Sequence, residues 1–328
     1  MSKNILVFRT DRIGDLLLTC PSIKTIKEQF PGSKINIVTS EKNFEYSKTF
    51  DFIDNTHKFP TKFILKIVFF FKLLKKKYDI IYIFDGKDRS ILFSCFLKSP
   101  NKVSKIVNNK QAWLCKLFKI KTSFDFFGKD LNDLHQNLLN YSGLTKKIYN
   151  FDFLTKKNDN NFSSKIPLES YILIHLDEKW FSSTYIKTYN DISPSYEEFS
   201  NFIKSISNKY NILITTGAKS NYLIDRLELS SVNQISKNIF VNNIKQNIFI
   251  VKEPSFIDLE SILRKTKVLI SCHGALTHAA ASFNIKIIDI IEKSKEDLVK
   301  RYSLYIKNYY KVYRNKFSLV KTKINEII

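Results

Sequence analysis

The chain is poor in the residues that cross-link or break a polypeptide. Its 328 residues include only seven Gly, seven Pro and four Cys. The cysteines are widely spaced, without a Cys-x-x-Cys pair or a His at zinc-site spacing. This excludes a disulfide framework and a zinc module of the usual kinds. We expect reduced cysteines, either in a core or near a site, at Cys20, Cys95, Cys115 and Cys272.

Long apolar runs are also absent. A bilayer-spanning helix needs about 18 apolar residues, and the nearest stretch, Phe63–Leu74, is interrupted by Lys66 and Lys72. The apolar segment Ile5–Phe8 is short and runs straight into charged residues, unlike a secretory signal. We therefore expect a cytoplasmic protein.

Acidic residues are few: 31 Asp and Glu face 53 Lys and Arg, which gives a net charge of +22. Such an excess favours an anionic partner, either nucleotide phosphate, nucleic acid or a membrane surface. An alternative is AT-rich coding, which enriches Lys, Asn, Ile and Phe together. Nucleic acid is disfavoured because no recognised motif is present and aromatic and basic residues do not interleave in one platform.

Strands and helices alternate along the chain, which predicts parallel sheets covered on both faces. The length favours two domains, and the polar stretch Lys156–Asn161 is the candidate linker between residues 1–155 and 166–328. The predicted strands are Asn4–Phe8, Lys34–Thr39, Asp79–Phe84, Tyr171–His175, Asn211–Thr215, Asn247–Val251, Lys267–Ile270 and Ile285–Ile291. The predicted helices are Asp15–Phe30, Thr61–Lys77, Ser90–Leu97, Ser195–Lys209, Ser255–Lys265, Ala275–Phe283 and Leu298–Asn315, the last of which could pack back on the first domain.

Two strand–turn–helix junctions carry small and ionisable residues. The segment Arg9–Asp15 follows the first strand, and Ser271–His278 follows a late strand. Ligands of open α/β sheets bind at the carboxyl ends of strands, facing helix N-termini. Two such junctions in separate halves of the chain predict one site between two domains.

These segments resemble glycosyltransferase family 9, the lipopolysaccharide heptosyltransferases. The family opens with a strand, a basic and polar loop, Gly-Asp and Thr-x-Pro, matched here by Ile5–Asp15 and Thr19-Cys20-Pro21. Further matches are Leu73–Phe84 with Asp85-Gly86 and Ser90, then His135 with Leu138, Leu139 and Gly143, and finally His273–Ala281. In the last motif His273 stands where the family has Asp, and Gly274 is one place early.

The resemblance implies the GT-B fold, an α/β arrangement of two Rossmann-like domains with parallel sheets facing across a cleft. We predict an inverting, metal-independent glycosyltransferase that moves a sugar, such as heptose from ADP-heptose, to a cell-envelope glycan or glycolipid such as the lipopolysaccharide core. The chain contains no Asp-x-Asp metal motif, and we expect no cofactor besides the nucleotide diphosphate sugar. The alternative is a non-catalytic nucleotide-sugar or glycan-binding protein on the same scaffold, motivated by His273.

The first junction holds the candidate catalytic and acceptor residues. Asp15 would sit at a helix N-terminus, where the dipole favours a proton-accepting carboxylate, and the resemblance implies the role of catalytic base; capping of the helix is the alternative. Arg9 and Arg12 are candidates for recognising acceptor phosphate or carboxylate, with solvated surface arginines as the alternative. Asp11 would orient Arg12 or bind the acceptor sugar, and Gly14 completes the predicted acceptor loop.

The second junction holds the candidate phosphate contacts of the donor. Gly274 and Ala275 would let the backbone approach a phosphate closely, and Thr277 offers a hydroxyl. His278 would bind phosphate or fix the loop, with a core histidine as the alternative. His273 has three open roles: contact with the diphosphate, contact with the sugar, or shaping of the turn. Either imidazole, if protonated, would stabilise the anionic leaving group.

Two further donor contacts are predicted at the ends of other second-domain strands. The family has a basic residue near a Trp soon after the first strand of this domain, and Lys179 is the best match, with Lys187 as the competitor. Thr216 and Gly217 end another strand and would lie beside the nucleotide.

The predicted basic amphipathic helix Thr61–Lys77 has two possible functional interpretations. Its apolar positions are Phe63, Ile64, Ile67, Val68, Phe71 and Leu74, with lysines along the other side. One reading is peripheral attachment to an anionic membrane that carries a lipid-linked acceptor. The other is an ordinary sheet-covering helix with a solvated basic side.

Overall fold

A computed structural model describes residues 2–125, 131–147, 161–181, 185–242, 245 and 247–328. The chain divides into two compact units, Met1–Asn158 and Asp159–Ile328. Most of the predicted linker lies outside the described residues. Each unit is built around its own sheet.

The first unit has one parallel sheet with helices between its strands. The strands are β1 Asn4–Arg9, β2 Lys34–Thr39, β3 Asn55–Lys58, β4 Ile80–Ile83, β5 Asn101–Ile106 and β6 Lys121–Phe124. The helices are α1 Ile13–Gln29, α2 Glu41–Ser47, α3 Phe63–Leu74, α4 Asp88–Phe96, α5 Asn109–Leu117 and α6 Leu131–Tyr141. The strand order is β3-β2-β1-β4-β5-β6, and every pair is parallel. Strands β1 and β4 are almost wholly buried, which explains their continuous apolar sequences.

The second unit has a larger, mixed sheet. Its strands are β7 Tyr171–Leu176, β8 Ile212–Thr216, β9 Val232–Ser236, β10 Ile239–Asn242, β11 Ile248–Val251, β12 Thr266–Cys272, β13 Lys286–Ile291 and β14 Tyr309–Tyr313. Its helices are α7 Tyr196–Ser207, α8 Tyr222–Ser231, α9 Phe256–Leu263, α10 Ala275–Ala281, α11 Glu296–Ser303 and α12 Phe317–Ile327. The strand order is β14-β13-β12-β7-β8-β11-β10-β9. Strand β10 runs antiparallel to β9 and β11, and the other pairs are parallel.

The predicted α/β class is confirmed, with two Rossmann-like units. Strand β2 has the predicted bounds. Helix α7 begins where predicted, at a capping box in which the Ser195 hydroxyl accepts from the Glu198 amide at 3.2 Å and the Glu198 carboxylate accepts from the Ser195 amide at 2.9 Å. All four cysteines are buried, as expected for core or near-site thiols.

The prediction of one helix over Leu298–Asn315 was wrong. That stretch contains the end of α11 and the strand β14, which pairs in parallel with β13. The aromatic-rich sequence of Tyr309–Tyr313 suits an edge strand, with Val312 buried and its neighbours exposed. The last helix, α12, packs within the second unit, where Phe317 contacts the rings of Phe199 and Phe202.

Candidate functional site

The first unit has a charged groove at the carboxyl ends of β1, β4 and β5. Its volume is about 870 Å³. The groove lies where the strand order reverses between β1 and β4, the usual ligand position in an open α/β sheet. It is lined by Asp11, Arg12, Asp15, Asp85, Gly86, Lys87, Asp88, Arg89, Lys105, Val107, Asn108 and Gln111. The first predicted junction therefore forms one wall of this groove.

Arg9 is the buried centre of that wall. Only 2% of the residue is exposed, so the surface-arginine alternative was wrong. Its guanidinium donates to the Phe84 carbonyl at 2.8 Å and to the Asp15 carbonyl at 2.9 Å. It also lies 3.2 Å from the Asp11 carboxylate and 3.6 Å from that of Asp15. Arg9 thus positions both carboxylates.

Asp15 lies in the first turn of α1 and faces the groove. Its side chain keeps 39% of its surface exposed, and its carboxylate accepts from the Arg12 amide at 3.4 Å. The geometry therefore meets the capping interpretation and leaves the carboxylate accessible to a substrate. Gly14 lies in the same turn, and the exposed Arg12 lines the groove beside it.

Asp11 is a carboxyl group in an unusual environment. Its Oδ1 is buried without a hydrogen-bond partner among the described residues. Its backbone carbonyl accepts from the Ser40 hydroxyl at 2.7 Å and from the Asn43 amide at 3.1 Å. Burial raises the pKa of Asp11 to about 6, opposed by Arg9 and reinforced by Asp15 and Asp85.

Asp85 belongs to the matched motif Asp85-Gly86, but no role for it was predicted from the sequence. It is buried, and its Oδ2 accepts from the Thr10 amide at 3.1 Å, the Thr10 hydroxyl at 2.7 Å and the Ser90 hydroxyl at 2.7 Å. These bonds tie the loop after β1 to the start of α4. An acidic residue directly after a buried strand was the available signal.

The raised pKa of Asp11 predicts a pH-dependent stability difference. Because its pKa is about 6 in the folded protein and 3.8 ordinarily, ionisation disfavours folding. The free energy of unfolding of wild type, relative to Asp11→Asn, should fall by up to about 3 kcal/mol as the pH rises from 4 to 6, and stay constant above that. Urea denaturation of both proteins across this range measures the difference. A difference independent of pH would show that Asp11 is not perturbed.

In the second unit, Lys179 meets the predicted glycine turn. It lies in the helical turn Glu178–Trp180 after β7 and pairs with the Asp177 carboxylate. A Cβ atom on Gly274 would be 2.6 Å from the Lys179 ammonium, so glycine permits this close approach. Lys187, the competing candidate, is exposed. Burial opposes the charge of Lys179, but Asp177 outweighs it and holds the Lys179 pKa above its ordinary value.

Thr216 and Gly217 join the same loop from the adjacent strand β8. A Cβ atom on Gly217 would be 2.9 Å from the Glu178 carboxylate and 3.1 Å from the Asp177 side chain. The buried Thr216 hydroxyl accepts from the Glu253 amide at 2.7 Å. The ends of β7, β8 and β12 therefore bring the predicted donor residues together.

His273 is fixed by an aspartate on the neighbouring strand. Its Nδ1 lies 2.6 Å from Asp289 Oδ2, which also accepts from the Tyr309 hydroxyl at 2.6 Å. The Thr277 hydroxyl donates to Asp289 Oδ1 at 3.3 Å and accepts from the Gly274 amide at 3.2 Å. Asp289 thus places a carboxylate beside the turn in which the family motif has its own Asp. An Asp inside an apolar strand was the signal that the sequence analysis overlooked.

His278 is buried, as the core-histidine alternative expects. It is 4% exposed, and its Nδ1 lies 2.9 Å from the Tyr305 hydroxyl. Burial, with further contributions from His273 and Lys179, lowers its pKa well below the ordinary value. His278 is therefore uncharged at neutral pH in this structure, and its contact with the donor stays a prediction. Ala275 begins the seven-residue helix α10 directly after the turn.

Arg314 is a buried cation that the sequence analysis missed. It follows β14, is 3% exposed, and donates to the Lys179 carbonyl at 2.6 Å and to the Asn190 carbonyl at 2.7 Å. Its Nη2 is buried without a hydrogen-bond partner among the described residues. Because Leu298–Asn315 was predicted as one helix, the position of Arg314 at the end of a strand was not recognised. Arg314 supports the loop that carries Lys179.

No group of three or more His, Cys, Asp or Glu side chains that could hold a metal ion occurs in the described part of the chain. Nor do the described residues include a helix long and apolar enough to cross a membrane.

Comparison with known proteins identifies the fold. No protein-family model matches the sequence, and no curated protein is significantly similar to it. Among solved structures, E. coli heptosyltransferase WaaC with ADP-2-deoxy-2-fluoro heptose is similar at 15% identity and a TM-score of 0.69, covering 99% of this chain and 100% of that chain. E. coli ADP-heptose lipopolysaccharide heptosyltransferase II is similar at 12% identity and a TM-score of 0.70, covering 99% and 98%. A glycosyl transferase family 9 structure from Veillonella parvula is similar at 15% identity and a TM-score of 0.67, covering 99% and 90%. The resemblance to family 9 is thus confirmed at the level of the fold, over nearly the whole chain.

Proposed function

We propose that this protein is a glycosyltransferase that moves a sugar from a nucleotide diphosphate sugar to a glycan or glycolipid of the cell envelope. The observation that carries the proposal is the accessible carboxylate of Asp15 in a groove of about 870 Å³ at the end of β1. The full-length likeness to heptosyltransferases, one of which holds ADP or an ADP-heptose analogue, supports ADP-heptose as the donor and the lipopolysaccharide core as the acceptor class.

In the proposed reaction Asp15 acts as the general base. It accepts the proton of an acceptor hydroxyl while that oxygen forms a bond to the anomeric carbon of the donor sugar. The bond from that carbon to the diphosphate breaks, and its electron pair leaves with the nucleoside diphosphate. Attack opposite the leaving group inverts the anomeric configuration. Arg9 holds Asp15 through the contacts described above.

The leaving diphosphate requires positive charge in a preorganised position. Lys179 provides it, since its ammonium group pairs with Asp177 and lies where a glycine at position 274 leaves room for it. His273 is oriented by Asp289 and presents its other ring nitrogen as a further polar contact. The backbone at Gly274 and Ala275 lies beside them, with Thr216 and Gly217 toward the nucleotide. We propose a metal-independent reaction because these groups supply the charge that a divalent ion would otherwise provide.

The acceptor is proposed to bind in the groove of the first unit. Arg12, Lys87 and Arg89 are exposed there, and Lys105 also lines the groove, so the groove suits a phosphorylated or carboxylated glycan. Asp11 lines the groove with 15% of its side chain exposed, and we propose that this exposed part of the carboxyl group contacts acceptor hydroxyls. Arg9 acts as a positioning residue because it is buried.

The non-catalytic alternative rested on the loss of an Asp at position 273. The Asp289 carboxylate lies beside His273, so a carboxylate is still present at this turn. The departure at position 273 is therefore a weaker argument for a non-catalytic protein. We propose that the protein acts in the cytoplasm, at the inner face of the cytoplasmic membrane where a glycolipid acceptor is exposed.

Donor binding is testable by thermal shift. A ligand at about 100 times its Kd stabilises the native state by about 2.7 kcal/mol, which corresponds to an increase of about 5–11 °C in Tm for a unit of this size. We expect that increase with ADP-sugars in EDTA and smaller increases with UDP- and GDP-sugars. If no nucleotide diphosphate sugar raises the Tm, the proposed substrate class is wrong.

A further inference from the structure

Helix α3 is apolar on the face that points away from its sheet. Phe69 and Leu73 are 8% and 0% exposed and pack in the core. The apolar face identified from the sequence lies on the opposite side, so a sheet-covering role for that face was wrong. Its exposed members are Phe63 (75%), Ile64 (74%), Ile67 (43%), Val68 (60%) and Phe71 (57%). Because a helix normally buries its apolar faces, the exposed apolar face of α3 is expected to be covered by a partner surface.

The neighbouring helices α4 and α5 extend this face. Leu92 and Phe96 of α4, and Trp113 and Leu117 of α5, are all more than half exposed, and each pair is spaced four residues apart. Ring contacts connect the helices, with centroids 6.1 Å apart for Phe70 and Phe96. We call the exposed side chains of α3, α4 and α5 the α3–α5 surface. Contiguous apolar patches of this kind mark interaction sites.

The same stretch of chain is strongly basic. Residues 61–120 contain fourteen Lys and Arg against three Asp, an excess of eleven that is half of the chain's +22. Lys62, Lys72, Lys75 and Lys77 are exposed on or beside α3. Nearby His57 has a pKa lowered to about 4, first by burial and then by Lys76 and Lys72. The apolar patch is therefore set in a positive field.

We propose that the α3–α5 surface docks on an anionic lipid bilayer. The apolar side chains would enter the interfacial region while the lysines meet anionic headgroups. Trp113, which is 67% exposed, suits the headgroup level. A second copy of the chain fits less well, since pairing two such faces would oppose lysine to lysine.

This docking would serve a glycolipid acceptor, a step that rests on the proposed function. The groove is bordered by Asp88 and Arg89 at the start of α4 and by Asn108 and Gln111 at the start of α5. The exposed apolar residues lie further along the same two helices, and four residues of helix span about 6 Å. The acceptor's headgroup could therefore reach the groove while its lipid stays in the bilayer.

Tryptophan fluorescence tests the docking without any substrate. The chain has two tryptophans, and Trp180 is 0% exposed, so a membrane-dependent change reports on Trp113. With phosphatidylglycerol–phosphatidylcholine vesicles we expect a blue shift and quenching by brominated lipid, both reduced at high salt. Pure phosphatidylcholine vesicles should bind at least about 10-fold more weakly.

Substitutions identify the surface. Ile64→Ser with Phe71→Ser should weaken vesicle binding at least about 10-fold with little change in Tm, because both side chains are exposed. Leu319→Ser on α12, where the side chain is 55% exposed, is the matched control. Equal vesicle binding by the double variant and wild type overturns the proposal, as does a solution dimer that only the double variant loses.

Failure of the docking and failure of the proposed function give different results. Transfer to an acceptor freed of its lipid should be unchanged in the double variant, whereas transfer to the acceptor in anionic vesicles should fall. Equal losses with both acceptors would contradict the docking role. Vesicle binding by wild type, measured without donor, remains informative even if no transfer is found.

Discussion

Replacing Asp15 with Asn is expected to lower kcat about 1,000-fold, within the range of about 100- to 10,000-fold for loss of a general base. The amide oxygen of Asn can still accept from the Arg12 amide, which lies 3.4 Å from the Asp15 carboxylate, just as Gln can replace Glu at this third helical position of a capping box. Tm and donor affinity should therefore change little. This separates a base from a helix cap, and kcat with saturating donor and acceptor is the measurement.

Two control variants sharpen that experiment. Asp258→Asn changes an acid in the equivalent capping position of α9, and it should leave kcat unchanged. Asp11→Asn should mainly raise the KM of the acceptor. If Asp11→Asn abolishes turnover and Asp15→Asn does not, the base is Asp11, the carboxyl group with the pKa of about 6.

Replacing Lys179 with Gln is expected to weaken ADP-sugar binding about 10- to 100-fold. A hydrogen bond to a charged group contributes about 1.5–3 kcal/mol. The affinity for adenosine, which lacks the diphosphate, should change less than about two-fold. Calorimetric titration with both ligands distinguishes loss of a phosphate contact from general damage to the fold, which would weaken both.

Lys187→Gln is the matched control, since Lys187 was the competing lysine and is exposed. Gly274→Ala keeps the charge but would place a Cβ atom 2.6 Å from the ammonium of Lys179, so it should also weaken ADP binding. Weak ADP binding by Lys187→Gln, with normal binding by Lys179→Gln, would contradict the assignment of the donor cation.

Much of the fold could be predicted from the sequence because buried parallel strands are continuous apolar runs. Strand β1 is one example, and β2 was predicted with its exact bounds. The edge strands β3 (Asn-Thr-His-Lys) and β6 (Lys-Thr-Ser-Phe) were missed because they are half-exposed and polar. Strand β14 was mistaken for helix since its pairing partner β13, and not its own periodicity, decides its conformation.

The candidate site could be predicted from the sequence for those residues that lie at the ends of strands. Asp15 and Gly274 directly follow or open predicted elements, so sequence position alone located them. The pairs of His273 with Asp289 and of Arg314 with the Lys179 carbonyl depend on sheet register between distant segments. The exposed face of α3 likewise depends on which side meets the sheet, and a helix with apolar residues on two opposite sides does not encode that choice.

The most direct test of the central claim is a transfer assay by mass spectrometry. Wild-type protein is incubated with ADP-heptose and a lipopolysaccharide-core acceptor in EDTA, and both products are measured. We predict one heptose added to the acceptor for each ADP released, and loss of both products in Asp15→Asn. Binding of ADP-heptose without ADP release or acceptor modification, across a panel of core acceptors, would contradict the account and favour a non-catalytic binding protein.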